Sequence, residues 1–120
     1  MSLRPDFTQH RPDQRLDRYR DRVGRLFRGG NEVGLVLVQV QPYAEQVGGL
    51  LWWRRWGATR DALWLWTIVD GEFSDHWVAD GLDEELDSYG EGRFPFWGEA
   101  LSVRWADVEE SASLRRSAFD

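Results

Sequence analysis

LLWWRRWGATRDALWLWTIVDGEFSDHWV, residues 50–78, carries six of the eight tryptophans in the 120-residue chain. Whether those rings wall a core or make a surface decides how the fold is built. The stretch divides at turn signals. LLWWRRW (50–56) and ALWLWTIV (62–69) are strand-like, and GATRD (57–61) is expected to be a hairpin loop between them. Asp70-Gly71 is the two-residue hairpin signal, since both positions of that turn need φ > 0. EFSDHWVA (72–79) follows as a further strand.

Symmetric pairing of both hairpins sets a register. Across GATRD it places Trp56 opposite Ala62, Arg54 opposite Trp64 and Trp52 opposite Trp66. Across Asp70-Gly71 it places Ile68 opposite Phe73, Trp66 opposite Asp75 and Trp64 opposite Trp77. Side chains alternate along a strand, so these residues share one face. The other face takes Trp53, Arg55, Leu63, Leu65, Thr67, Val69, Glu72, Ser74, His76 and Val78. The tryptophan-rich face is the more apolar on the last strand and is expected to pack on helices.

Outward from this centre, residues 1–11 are expected to be a flexible arm and 12–120 a single α+β domain. In PDQRLDRYRDRVGRLFRGG (12–30), Leu16, Tyr19, Val23, Leu26 and Phe27 recur at helical spacing, which predicts an N-terminal helix stopped by Gly29-Gly30. VGLVLVQVQP (33–42) predicts a strand ending at Pro42. DGLDEELDSYG is an acidic turn or short helix, and RFPFWGE is irregular. ALSVRWA (100–106) alternates as a fifth strand, and Asp107-x-x-Glu110 starts a C-terminal helix over 108–118. The expected fold is a mainly antiparallel sheet of about five strands with an N-terminal and a C-terminal helix, a two-layer α+β sandwich.

Composition narrows the chemistry. No cysteine is present, which excludes disulfides, thiol catalysis and cysteine-ligated zinc. All 15 basic residues are arginine, as a GC-rich bacterial genome would give. No apolar run approaches the roughly 18 residues of a membrane span, and the opening MSLRPDFTQHRPDQR has no signal-like apolar stretch. A cytoplasmic location is the expectation. The net charge of −6 is uneven, with eight arginines in residues 1–28 and fifteen acids in residues 61–120. A nucleotide-cradling glycine loop and a nucleophile elbow are both missing. The acids Asp80, Asp83, Glu84, Glu85 and Asp87 lack the spacing of a calcium loop, so no metal or cofactor is expected. The two histidines, His10 and His76, have no nucleophile paired with them, so catalysis is not the expected role.

What remains is binding. Trp52, Arg54, Trp64, Trp66, Asp75 and Trp77 are the candidate residues on the tryptophan-rich face, with Trp53 and Arg55 as a contact patch on the opposite side. Arg54 and Asp75 are the polar pair among the rings. They either brace the face or orient a ligand or a partner's side chain. The expected function is a non-enzymatic protein-binding module, of chaperone, adaptor or neutralising-inhibitor type, whose partner is basic. A small-ligand domain with an aromatic pocket is the alternative. Nucleic-acid binding through the arginine-rich segment is the third, set against the acidic balance.

Overall fold

The computed structural model describes residues 6–50 and 53–120, with side chains placed for residues 12–44 and 59–120. Seven strands form one sheet. They are β1 (Asp6–Arg11), β2 (Val23–Arg28), β3 (Asn31–Leu50), β4 (Trp53–Val69), β5 (Glu72–Val78), β6 (Arg93–Phe96) and β7 (Glu99–Trp105). A short 3-10 turn lies at Gln14–Leu16, α1 at Leu82–Gly90 and α2 at Val108–Ala118. The order across the sheet is β1-β4-β3-β2-β7-β6, with β5 also paired to β4. Strands β2 to β7 are linked by antiparallel pairing throughout, and only β1 runs parallel to its neighbour β4. The class is α+β with an antiparallel sheet.

The expected N-terminal helix does not form. Leu16 and Tyr19 sit in a 3-10 turn and the bends after it, and Val23–Arg28 is a strand. Gly29 and Gly30 both have positive φ, +57° and +84°. They therefore close a β-hairpin to β3, with Arg28 opposite Asn31, rather than stopping a helix. Leu16, Tyr19, Val23 and Leu26 are still buried. The apolar positions were sound, but the helical period was not.

The second correction concerns GATRD. It is no loop: β4 runs unbroken through it, from Trp53 to Val69. Its partner is β3, which continues past Pro42 to Leu50. Trp64 therefore faces Gln39, Trp66 faces Leu37, and Trp56 faces Gln46. Across Asp70-Gly71 the register is as expected, with Ile68 opposite Phe73, Trp66 opposite Asp75 and Trp64 opposite Trp77. Pro42 is tolerated because β2 pairs only with β3 residues 31–37, and among the described residues no strand takes that edge further on.

The third correction is the choice of core face. Leu63, Leu65, Thr67 and Val69 are buried, and Val36, Val38, Leu26, Leu101 and Phe94 join them. Leu82 and Tyr89 bring α1 onto this inner side, with Leu16 and Tyr19. Thr67 and Ser74 satisfy each other across the inner face through hydroxyls 2.7 Å apart. The tryptophan-rich side is the outer one. There α2 packs at the β2 end, where the Ser111 hydroxyl accepts from the Val23 N–H at 3.0 Å, and its C-terminal end comes beside Trp66 and Phe73. The helices thus lie on opposite sides of the sheet, and the simple two-layer sandwich is not the arrangement found.

The sheet curls. A bulge lies between Leu26 and Phe27, and Gly34 sits across from it. A Cβ at Gly34 would stand 1.9 Å from the Ile68 carbonyl oxygen, so only glycine allows β3 and β4 to approach there. At the far side, His76 of β5 meets the ring of Trp97 at 4.6 Å and that of Phe96 at 5.5 Å, which draws β6 toward β5.

Two substitutions test this packing. Gly34→Ala is expected to abolish cooperative unfolding or to cost more stability than Leu16→Ala. Leu16→Ala, at a fully buried site, is expected to cost about 2–5 kcal/mol. Urea denaturation followed by circular dichroism checks both.

Candidate functional site

Strands β4 and β5 place Trp64, Trp66, Phe73, Asp75 and Trp77 on the outer side of the sheet. Their positions follow from period-two alternation: each large ring alternates with a residue sent into the core. The Asp70-Gly71 turn fixes the register, with φ of +53° and +79°. From β3, Gln39 and Tyr43 complete the face.

The rings touch one another. Trp64 and Trp66 stack at 5.5 Å with their planes 11° apart. Trp66 stacks on Phe73 at 5.7 Å, Trp77 meets Trp64 edge-on at 5.1 Å, and Tyr43 lies 5.7 Å from Trp77. Aromatic pairs at these separations contribute beyond the area they bury. Two of the three indole N–H groups are bonded within the face. Trp64 donates to the Asp75 carboxylate at 3.1 Å, and Trp66 donates to the Gln39 side-chain oxygen at 2.7 Å. Each bond sets the angle of its ring. Despite these contacts the face stays open: Phe73 is 60% and Trp77 40% exposed, and Asp75 is exposed between them.

Four of the sequence-predicted residues, Trp64, Trp66, Asp75 and Trp77, are therefore brought together. Trp52 lies outside the described residues, as do the side chains of Trp53, Arg54 and Arg55. The backbones of these three pair with Leu50, Gly49 and Gly48. Arg54 is thus ten residues along the same strand from Trp64, roughly 30 Å at the usual rise, and not opposite it. The expected Arg54–Asp75 pairing has no basis in this register. Sequence reasoning missed Tyr43 and Gln39. The signal was present in VQVQ, where glutamines alternate with core valines and mark the outer side.

Beside the rings lies a hollow of ≈ 230 Å³ between Trp66, Phe73, Leu37 and the end of α2. A larger cleft of ≈ 630 Å³ runs between the 3-10 turn and the start of α1. Its lining is acidic, with five acids against two arginines, and Arg15 pairs with Asp13 and Asp83 while Arg60 pairs with Asp80. Hydrogen bonds from Arg15 hold the Asp13 carboxyl below its usual range. Farther along α1, burial pushes the Glu85 carboxyl up, opposed by the hydrogen bond from the Tyr89 hydroxyl. Among the described residues no three acids or histidines are grouped to hold a metal ion, and no helix is long and apolar enough to cross a membrane.

His76 points to the inner side, against Phe96 and Trp97, and its Nε2 is buried without a hydrogen bond. Among the described residues no hydroxyl is hydrogen-bonded to that nitrogen. Its contact helps hold Trp97 at φ +44°, a conformation costly for a large side chain. Burial pushes the imidazole below its ordinary value, and the neighbouring Asp75 opposes the shift. The unfolded chain then binds the proton more readily than the folded one. The stabilisation from a neutral His76 is present above the unfolded value of 6.5 and declines as pH falls through it toward the folded value. Thermal melts between about pH 7 and 5.5 are expected to show a steeper loss of stability in the wild type than in His76→Gln.

No protein-family model matches the chain, no curated protein matches it, and no solved structure matches it.

Proposed function

We propose that this chain is a non-enzymatic binding module that docks a protein partner on the outer aromatic face. One observation carries the proposal: a contiguous row of rings stands open on a sheet face, with the indole N–H groups of Trp64 and Trp66 already bonded inside it. Such a row is held in one arrangement and offers contiguous aromatic area, a feature favoured at the centre of protein interfaces. Exposed contiguous apolar patches on small domains commonly mark contact sites.

The small-molecule reading has less support. Ligand pockets enclose about 300–1,000 Å³; the hollow beside Trp66 is smaller, a hollow beside Phe73 reaches only the lower bound at ≈ 300 Å³, and the cleft of ≈ 630 Å³ has no aromatic ring in its lining. The nucleic-acid reading needs free cations along the N-terminal segment. There Arg15, Arg20, Arg25 and Arg28 each pair with two acids, while Arg18 lies over the Tyr19 ring and Arg22 donates to the Ala106 carbonyl, so much of the charge that would track phosphates is already engaged. The cysteine-free chain suits work in a reducing cytoplasm.

Phe73→Ala and Trp77→Ala remove exposed rings and are expected to shift stability by less than about 1.5 kcal/mol. Both are expected to lose whatever protein the tagged wild type captures from its native lysate. Val108→Ala, an exposed apolar side chain at the start of α2, is the control that keeps it. Capture unchanged in both face variants would sink the proposal. In anisotropy titrations at physiological salt, a single-stranded oligonucleotide is expected to bind more weakly than micromolar; tighter, steeply salt-dependent binding would favour the nucleic-acid reading.

A further inference from the structure

On the reading that the outer face docks a protein, we propose that its specific element is an acidic notch at Asp75, which takes an arginine side chain of the partner. The notch is built on β5. Phe73, Asp75 and Trp77 occupy alternate positions of one strand, so a carboxylate stands between two exposed rings at about 7 Å from each along the strand. Aspartate is disfavoured inside strands, and here it sits at the middle of an aromatic surface.

The carboxylate is only half used. One oxygen accepts from the Trp64 indole at 3.1 Å, and Asp75 forms no ion pair among the described residues. The cations that border the face are engaged elsewhere. Arg60 is held by Asp80, Arg115 by Asp21 and Asp120, and Arg28 by Asp70 and Glu99. The bond from Trp64 also fixes the carboxylate's direction, so it is aimed before a ligand arrives. An incoming guanidinium can donate to the free oxygen while its plane lies on Trp77 or Phe73. Arginine suits this geometry better than lysine, because its flat fork stacks on rings and donates in-plane. The surroundings favour a cation as well. Residues 61–120 hold fifteen acids against four arginines.

The test uses the full chain and a defined probe, the peptide Ac-Gly-Arg-Gly-Arg-Gly-amide. Its lysine and citrulline counterparts are titrated beside it, citrulline being a neutral analogue of arginine. Indole N–H resonances of the ¹⁵N-labelled protein report where binding occurs. The arginine peptide is expected to move the Trp64 and Trp77 resonances and to bind about tenfold more tightly than the citrulline peptide. Asp75→Asn keeps an oxygen for the Trp64 N–H while removing the charge. It is expected to unfold at the wild-type midpoint and to bind the arginine peptide only as well as the citrulline one. Equal binding of the two peptides, or none up to about 10 mM, would overturn the inference. So would shifts of the same resonances by cellohexaose or an oligothymidylate but not by the arginine peptide. Lysate capture separates this inference from the docking proposal beneath it. Capture lost in Phe73→Ala and Trp77→Ala but kept in Asp75→Asn means a face that docks through apolar contact alone. Capture kept in all three removes the face and the notch together.

Discussion

Strand β4 must serve two sides at once. It pairs with β3 along one edge and with β1 and β5 along the other, so it can neither shift nor tilt independently. Its alternation then has one outcome. Leu63, Leu65, Thr67 and Val69 enter the core, and Trp64, Trp66 and Ile68 must point the other way. A slip by one residue would bury the tryptophans and expose the leucines. The rings are therefore at the surface because the slimmer side chains fill the space inside the curl, where Phe94, Leu101, Tyr89 and Val38 leave no volume for two indoles.

On the inner face some polar groups are satisfied in pairs, while the His76 Nε2 and Trp105 Nε1 are buried without a hydrogen bond. Thr67 and Ser74 bond to each other, and the Asp61 carboxylate, 5% exposed, takes the Asp13 N–H at 3.0 Å. On the outer side the same pairing is found near α2, where buried Ser111 accepts from Val23 and donates to the Ala106 carbonyl. These bonds tie the segment before β2 and the last helix to the sheet. The arginines of residues 15–28 add a rim of ion pairs around it. Being largely exposed, those pairs direct assembly more than they stabilise it.

Local chemistry was legible where a turn dictates its own geometry. Asp70-Gly71 set the β4–β5 register to the residue, and Asp107 caps α2 through the Glu110 N–H at 2.8 Å as its spacing indicated. Gly29-Gly30 carried the same kind of signal as Asp70-Gly71. It was overridden because Leu16, Tyr19, Val23 and Leu26 also fit a helical period, and six residues of strand cannot outweigh a longer match. Gly24 was the counter-signal. A glycine amid that stripe weakens a helix, and in the strand a Cβ there would press to 2.7 Å from Val103. The length of β3 and β4 was beyond local reading, since twenty residues of strand far exceed the usual five or six. That error separated Arg54 from the site. The site's other half survived because it depended on the Asp70-Gly71 turn alone.

The inversion of the two faces also changes what the tryptophans mean. Buried, five rings would be packing, and their indole N–H groups would need partners simply to avoid a desolvation cost. At a half-exposed surface water could satisfy those donors. The structure instead bonds Trp64 to Asp75 and Trp66 to Gln39, and stacks the two rings within 11° of parallel. Holding exposed rings in one arrangement costs side-chain entropy that gives the isolated domain little in return. It does lower the entropy left to lose when something flat and apolar settles on them. On the docking proposal, a face ordered by hydrogen bonds at Trp64 and Trp66, with one carboxylate left to complete, is what a contact from outside the chain would use.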